Sequence, residues 1–122
     1  MATILLVEDD PATRAALAAS LQADGHTVLE AGTGLEALTV AAAAVPDLVL
    51  LDLRLPDAHG FDLAQRLREE SRMANIPILA LTAYPADQAP TALVGSGCTG
   101  YLTKPISRDL LREALRHYLP ED

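Results

Sequence analysis

The sequence predicts an α/β protein of the doubly wound kind, in which helices cover both faces of a five-stranded parallel sheet. Short apolar runs alternate with longer stretches of helical pattern, and this alternation is typical of repeated βαβ units. Half of the residues are hydrophobic but only 3% are aromatic, so the core must consist of aliphatic side chains. We expect a single domain over residues 1–122, because a chain of this length can bury a core of its own.

The first two βα units have clear boundary signals. The first strand is predicted at Ile4 to Val7, and Asp10-Pro11 then supplies a helix N-cap followed by a proline at the first helical position. Gly25 ends this helix. The second strand is predicted at Thr27 to Ala31, and an alanine-rich helix follows at Leu35 to Ala44.

The third unit contains the most informative residue of the chain. Leu48 to Leu51 is an apolar run, as expected for a buried parallel strand, and Asp52 follows it directly. Ligands of open α/β sheets bind outside the carboxyl ends of the strands, so Asp52 is a site candidate by position alone. The third helix is expected to start near Gly60. Its predicted inward residues are Leu63, Ala64 and Leu67, and its predicted solvated residues are Arg66, Arg68, Glu69 and Glu70.

The last two strands are predicted at Ile78 to Thr82 and at Thr99 to Leu102. Between them, Pro85 to Gly97 contains two prolines and two glycines, so we expect only a short or loose fourth helix there. A fifth helix is predicted at Ser107 to Leu119, with its first residue as the N-cap.

Charge and cysteine content restrict the classes of partner and location. A formal net charge of −8 argues against binding nucleic acid or an anionic membrane, since both require a basic surface. A cation or a basic protein surface is the expected partner. Cys98 is the single cysteine and is interpreted as a small buried side chain. Neither a signal peptide nor a membrane span is indicated, so we expect a cytoplasmic protein.

Polar side chains of complementary chemistry stand at the ends of four predicted strands. Glu8 and Asp9 follow the first strand, Asp52 ends the third, Thr82 ends the fourth and Lys104 follows the fifth. These ends share one edge of a parallel sheet, where clustered carboxylates stay ionised beside a cation such as Mg²⁺ or Mn²⁺. A carboxylate beside a divalent metal and a lysine can attack phosphorus, because both cations offset charge on the transferring oxygens.

Four segments together match one known pattern. They are Ile4 to Asp10, Asp47 to Asp57, Leu81 to Ala83 and Gly100 to Pro105. In these segments the chain resembles the receiver domain of bacterial two-component response regulators, and the resemblance covers essentially the whole sequence. It implies a CheY-like, flavodoxin-like (βα)5 fold with strand order 2-1-3-4-5, and a phosphoacceptor function in a phosphorelay.

The resemblance also implies a role for each residue at the strand ends. Asp52 would accept a phosphoryl group from a histidine kinase or a histidine phosphotransfer protein. Glu8 and Asp9 would organise Mg²⁺ together with Asp52 and the backbone carbonyl of Arg54, and Lys104 would pair with the phosphoryl oxygens. The peptide bond between Lys104 and the following proline is expected to be cis.

A switch between two states is implied as well. Thr82 and Tyr101 resemble the pair that reports phosphorylation: the hydroxyl moves toward the phosphoryl group and the ring turns inward. This movement would rearrange the face of the fourth helix, fifth strand and fifth helix for an unidentified downstream protein. Such a module promotes its own phosphorylation and dephosphorylation without being a conventional enzyme. We expect a monomer or a phosphorylation-dependent dimer, and the start and short tail of the chain favour a stand-alone protein.

Arg54 and Tyr84 occupy positions that, in the family, tune the lifetime of the phosphoryl group. Both side chains are bulky here. We therefore expect restricted access of the attacking water and slow self-dephosphorylation.

Two other interpretations stay open. Gly32, Gly34 and Ala37 form a GxGxxA pattern that follows a strand and opens a helix, as in NAD-binding proteins. That pattern follows the second strand, which is expected at the sheet edge, and it leaves the strand-end residues without a role. The other interpretation keeps the receiver fold but makes it a docking module that binds its partner independently of phosphorylation.

Overall fold

Parallel strands form the centre of the molecule, in the order β2-β1-β3-β4-β5. The computed structural model describes residues 2–83, 93 and 95–119. The strands are β1 Thr3–Val7, β2 Thr27–Ala31, β3 Leu48–Asp52, β4 Ile78–Thr82 and β5 Gly100–Thr103. The predicted α/β class and strand order are confirmed.

Helices α1, α2 and α3 follow the first three strands, and a C-terminal helix follows β5. They span Pro11–Ala23, Gly34–Ala43, Gly60–Glu69 and Arg108–Tyr118, with a 3₁₀ turn at Ser71–Met73. The helices begin where the sequence supplies a cap. Asp10, Thr33 and Ser107 each accept a hydrogen bond from the backbone amide three residues further on, at 3.0, 3.1 and 3.0 Å.

The sheet separates two aliphatic cores. One core lies under α1 and the C-terminal helix, and the other lies under α2 and α3. Every residue from Ile4 to Val7 is fully buried, because alternate side chains enter opposite cores. A strand buried on both faces must be apolar throughout, which explains the continuous apolar runs in β1, β3 and β4.

Strand register brings the carboxyl ends of the strands to one edge of the sheet. Val7 pairs with Leu51, and Asp52 pairs with Leu81. Thr82 is level with the last residue of β5. The residues that follow β1 and β5 therefore emerge beside Asp52, as the sequence predicts.

Arg68 corrects one prediction, because it does not belong to the solvated face of α3. Its side chain is half-buried and donates hydrogen bonds to the backbone carbonyls of Met73 at 2.6 Å, Ile76 at 2.5 Å and Gly97 at 3.0 Å. An arginine can bury its aliphatic stem while its guanidinium reaches distant backbone groups, so an apolar periodicity does not reveal this role.

The remaining differences are small. Helix α2 begins one residue before the predicted Leu35, and β5 begins one residue after Thr99. Cys98 is half-buried against the core under α3, and burial raises the pKa of its thiol. Most of the predicted fourth helix, and Tyr84 before it, lie outside the described residues. Among the described helices, none combines the length and apolar character needed to cross a membrane.

Candidate functional site

Asp52 lies at the end of β3, and its side chain is almost completely buried. The Arg54 amide donates a hydrogen bond to Asp52 Oδ1 at 3.1 Å. Close packing behind the strand holds this arrangement: a Cβ at Gly60 would stand 2.7 Å from Leu53 Cα and 2.9 Å from the Asp52 carbonyl oxygen. The start of α3 lies so close to the end of β3 that only glycine fits at this position.

Glu8 and Asp9 stand beside Asp52 at the end of β1. Glu8 is 1% exposed, and its Oε2 accepts the Asp10 amide at 3.2 Å, whereas Asp9 is exposed. The Arg14 guanidinium donates to the backbone carbonyl of Glu8 at 2.8 Å and thereby fixes the turn after the strand. One carboxylate oxygen each from Glu8, Asp9 and Asp52 lies within 4.8 Å of the others.

Lys104 links the two buried carboxylates. Its Nζ lies 3.1 Å from Glu8 Oε1 and 3.4 Å from Asp52 Oδ1. Burial lowers the pKa of Lys104, but the hydrogen bond to Glu8 and the charges of both carboxylates outweigh burial and leave the pKa above its ordinary value. Lys104 is therefore a cation at neutral pH. Its peptide bond to Pro105 is cis, as expected.

Thr82 and Tyr101 project from the same face of the sheet. Thr82 pairs with Thr103, and Tyr101 pairs with Ala80, two residues before Thr82 on the same strand. Thr82 is 4% exposed and lines the cleft beside Asp52. Tyr101 is half-buried and is not among the described residues that line the cleft. Its role in a switch stays a prediction.

The strand-end residues surround a cleft of about 310 Å³. The predicted site residues on its walls are Glu8, Asp9, Asp52, Arg54, Thr82 and Lys104. Asp10, the N-cap of α1, lines it too, and so do two polar residues outside the predicted set, Thr13 of α1 and His59 before α3. The sequence analysis did not assign these two residues to the site. The signal for His59 was its place in the polar loop that follows Asp52, whereas no comparable pattern pointed to Thr13.

The donor set of the cleft fits a hard divalent cation. Glu8, Asp9 and Asp52 offer carboxylate oxygens, which are the ligands that Mg²⁺ and Mn²⁺ prefer. Two of the three carboxylates are buried, and a single lysine is near them. Clustered anions of this kind gain from a second cation.

The GxGxxA segment has a different use from the dinucleotide pattern. The Gly34 amide donates to Asp57 Oδ1 at 2.7 Å, and the Leu35 amide donates to Asp57 Oδ2 at 3.1 Å. These amides at the start of α2 are the donors that a pyrophosphate would need, and they are engaged by a carboxylate of the chain itself. The segment also follows β2, which is an edge strand of the sheet. The structure therefore gives no support to NAD binding at Gly32, Gly34 and Ala37.

Known proteins include relatives of this chain. The family model described as the response regulator receiver domain matches residues 4–116. The DNA-binding dual master transcriptional regulator RpaA of Synechocystis sp. is 38% identical over 119 residues, which cover 98% of this chain and 49% of RpaA. The chain thus spans about half the length of that relative.

Two solved structures share the whole fold. The chemotaxis protein CheY4 of Vibrio cholerae superposes with a TM-score of 0.92 at 32% identity, covering 98% of this chain and 99% of CheY4. The receiver domain of the sensor histidine kinase PA1611 from Pseudomonas aeruginosa PAO1 has a TM-score of 0.87 at 31% identity and 96% coverage of both chains. That receiver has a magnesium ion coordinated in its active site cleft.

The strand order, the strand-end cluster and the family match agree with one another. The matched region includes every residue of the cleft and nearly the whole chain. The chain therefore belongs to the response regulator receiver domain family, and its role is that of a phosphoacceptor module in two-component signalling.

Proposed function

We propose that Asp52 is the phosphoacceptor of this receiver domain and that its phosphodonor is a histidine kinase or a histidine phosphotransfer protein. The observation that carries the proposal is the position of the Lys104 ammonium, 3.1 Å from Glu8 Oε1 and 3.4 Å from Asp52 Oδ1. The ammonium places a positive charge directly beside the side chain that would attack phosphorus. It also stays close enough to pair with a phosphoryl group on Asp52.

Transfer to Asp52 exchanges one bond at phosphorus for another. A carboxylate oxygen of Asp52 forms the new P–O bond while the P–N bond of the donor phosphohistidine breaks, and the released imidazole takes up a proton. Negative charge is spread over the transferring phosphoryl oxygens during this exchange. Lys104 would offset that charge with its ammonium, and the Thr82 hydroxyl would donate a hydrogen bond to one of the oxygens.

We propose Mg²⁺, or Mn²⁺ in its place, as the cofactor. Glu8, Asp9 and Asp52 would hold the ion together with the backbone carbonyl of Arg54. A bound ion supplies positive charge that lets an anionic phosphoryl group approach an anionic cleft. The magnesium ion in the related PA1611 receiver supports this assignment.

The output surface would be the face predicted from the sequence, at the predicted fourth helix, β5 and the C-terminal helix. Phosphorylation at Asp52 would draw the Thr82 hydroxyl toward the phosphoryl group, and Tyr101 would turn inward. The face beside β5 would then bind an unidentified downstream protein, or a second copy of the chain in a phosphorylation-dependent dimer.

Residues 1–122 would form one receiver domain that promotes its own phosphorylation and dephosphorylation without being a conventional enzyme. The chain has a single cysteine and so forms no disulfide within itself, which fits a cytoplasmic location. Phosphoryl transfer from a histidine kinase fits the same location.

Beryllofluoride binding tests the assignment of Asp52. This ion mimics a phosphoryl group on a carboxylate, and fluorine NMR in the presence of Mg²⁺ would detect its bound form. We expect binding to the wild type and no binding to Asp52→Asn. Asp62→Asn, an exposed aspartate of α3 outside the cleft, is the matched control and should bind as the wild type does. Equal binding to Asp52→Asn would contradict the proposal.

The alternative of a phosphorylation-independent docking module predicts a different result for partner binding. A partner captured with equal affinity with and without beryllofluoride would favour a receiver fold that works independently of phosphorylation.

A further inference from the structure

The loop between β3 and α3 is a closed hairpin. Arg54 and His59 form an antiparallel bridge, and between them the Leu55 amide donates to the Ala58 carbonyl at 3.3 Å. Asp57 lies in the turn of this hairpin. Because the hairpin is closed by its own backbone hydrogen bonds, a restraint on its turn also restrains its base.

The turn of the hairpin is attached to α2. The amides of Gly34 and Leu35 donate to the two carboxylate oxygens of Asp57, at 2.7 and 3.1 Å. The same hydrogen bonds, that of Gly34 first, hold the pKa of Asp57 below its ordinary value. The carboxylate is ionised at neutral pH, where the positive end of the helix dipole favours it.

The base of the hairpin touches the phosphoacceptor. The Arg54 amide donates a hydrogen bond to Asp52 Oδ1 at 3.1 Å. The backbone carbonyl of the same residue, Arg54, is the proposed metal ligand. The position of the hairpin therefore sets both the orientation of the Asp52 carboxylate and the place of a proposed metal ligand. Both groups are backbone atoms of Arg54, so a rotation of the Arg54 side chain cannot move them back if the hairpin shifts.

We propose that Asp57 is a positioning residue of the phosphorylation site: its carboxylate anchors the hairpin to α2 and so fixes the Arg54 backbone against Asp52. The inference rests on the proposed function of Asp52. The contact between Asp57 and α2 also accounts for the glycine at the start of this helix. A Cβ at Gly34 would stand 3.3 Å from both Asp57 Oδ1 and Ala58 Cβ, so the missing side chain lets the hairpin approach the helix.

Two variants of Asp57 and one matched control test the proposal. Asp57→Ala removes both hydrogen bonds to α2, whereas Asp57→Asn keeps one acceptor oxygen. The control is Thr33→Ala, because the Thr33 hydroxyl caps the same end of the same helix by accepting the Glu36 amide at 3.1 Å. This control weakens the start of α2 without removing any atom of the hairpin.

Two measurements separate a positioning role from a merely structural one. Titration calorimetry without phosphodonor gives the Mg²⁺ affinity, and amide hydrogen exchange of Arg54 in metal-free protein gives the order of the hairpin. We expect Asp57→Ala to weaken Mg²⁺ binding by about tenfold, as is usual when a partner that orients a metal ligand is lost, and to speed Arg54 exchange. Asp57→Asn should lie between the wild type and the alanine variant.

Thr33→Ala should lose thermal stability while retaining the wild-type Mg²⁺ affinity and Arg54 exchange. If Asp57→Ala behaves as Thr33→Ala does, Asp57 is only a helix cap and the proposal fails. Should Asp57→Ala not fold, Asp57→Asn decides: wild-type Mg²⁺ affinity and Arg54 exchange in that variant would overturn the proposal. Failure of the proposed function is distinguishable, because the wild type itself would then show no Mg²⁺ binding that depends on Asp52.

Discussion

Lys104 is the residue on which the charge balance of the cleft depends. Its ammonium lies between the Glu8 and Asp52 carboxylates, where it can pair with oxygens of an incoming phosphoryl group. We expect Lys104→Met, which keeps the length of the side chain but removes the charge, to slow phosphorylation by acetyl phosphate about 100-fold, the order typical of losing one preorganised donor. Initial rates from intact-protein mass measure the effect.

Arg116→Met is the control for this prediction, since Arg116 is an exposed cation of the C-terminal helix. It should leave the rate unchanged. A wild-type rate for Lys104→Met would show that the ammonium plays no part in the transfer.

Arg54 is expected to protect the phosphoryl group once it has formed. Its side chain is exposed, yet the residue lines the cleft beside Asp52, so it can restrict the approach of water. We predict that Arg54→Ala shortens the phosphoryl lifetime by about tenfold, equivalent to roughly 1.4 kcal/mol in the barrier. The decay of phosphorylated protein after removal of the donor checks this, with Arg66→Ala on exposed α3 surface as control. An unchanged lifetime would refute the predicted role.

Helix α3 is tied to two other segments by one side chain, Arg68. Its guanidinium donates to the carbonyls of Met73, Ile76 and Gly97. In Arg68→Met the carbonyls of Ile76 and Gly97 would lose this donor, whereas that of Met73 would keep the Ile76 amide at 3.3 Å. Since an unsatisfied, partly buried carbonyl costs on the order of 1 kcal/mol or more, we expect a loss of about 2–3 kcal/mol in the free energy of unfolding. Urea denaturation measures it.

Arg66→Met is the matched control for Arg68, because Arg66 lies on the same helix but is exposed. Its change should stay within about 0.5 kcal/mol. Equal effects of the two variants would mean that the hydrogen bonds of Arg68 contribute nothing to stability.

The end of α1 is joined to the C-terminal helix by a charge cluster. Asp24 accepts hydrogen bonds from Arg112 at 2.8 and 2.9 Å and from Arg108 at 3.1 Å. The hydrogen bonds of Arg112, and then those of Arg108, hold the pKa of Asp24 far below its ordinary value. Because the pKa of Asp24 is lower in the folded than in the unfolded chain, the ionised carboxylate stabilises the fold at pH values above the unfolded-state pKa of about 3.9. This contribution is lost as the pH falls from there toward the folded-state pKa.

Asp24→Asn should therefore lower the free energy of unfolding near neutral pH, and its difference from the wild type should shrink below about pH 4. Urea denaturation at both pH values gives the comparison. Glu113→Gln, an exposed acid of the C-terminal helix, should change stability little at either pH. A difference for Asp24→Asn that is constant with pH would rule out the charge cluster as its cause.

Elements with strong local signals were predictable, and connections between elements were not. Asp10, Thr33 and Ser107 cap their helices as their residue types favour, although the sequence analysis placed the start of α2 one residue late and did not identify Thr33 as its cap. Arg68 and Asp57 act across 20 or more residues of sequence, on Gly97 and Gly34 respectively. Neither contact leaves a periodic pattern, so only the folded chain reveals it.

The candidate site was predictable because topology, and not local sequence, assembles it. A parallel sheet must bring the ends of β1, β3, β4 and β5 to one edge, so Glu8, Asp52, Thr82 and Lys104 meet without any motif that links them in sequence. The same argument could not assign His59, which reaches the cleft through the hairpin after β3. Nor could it show that the GxGxxA segment receives Asp57.

Locating the phosphoryl group after incubation with acetyl phosphate and Mg²⁺ tests the central claim most directly. Intact-protein mass spectrometry counts the groups added, and peptide fragmentation identifies the residue that carries them. We predict one phosphoryl group per chain on Asp52, none without a divalent metal, and none on Asp52→Asn. A phosphoryl group on another residue of the wild type, or undiminished phosphorylation of Asp52→Asn, would contradict it.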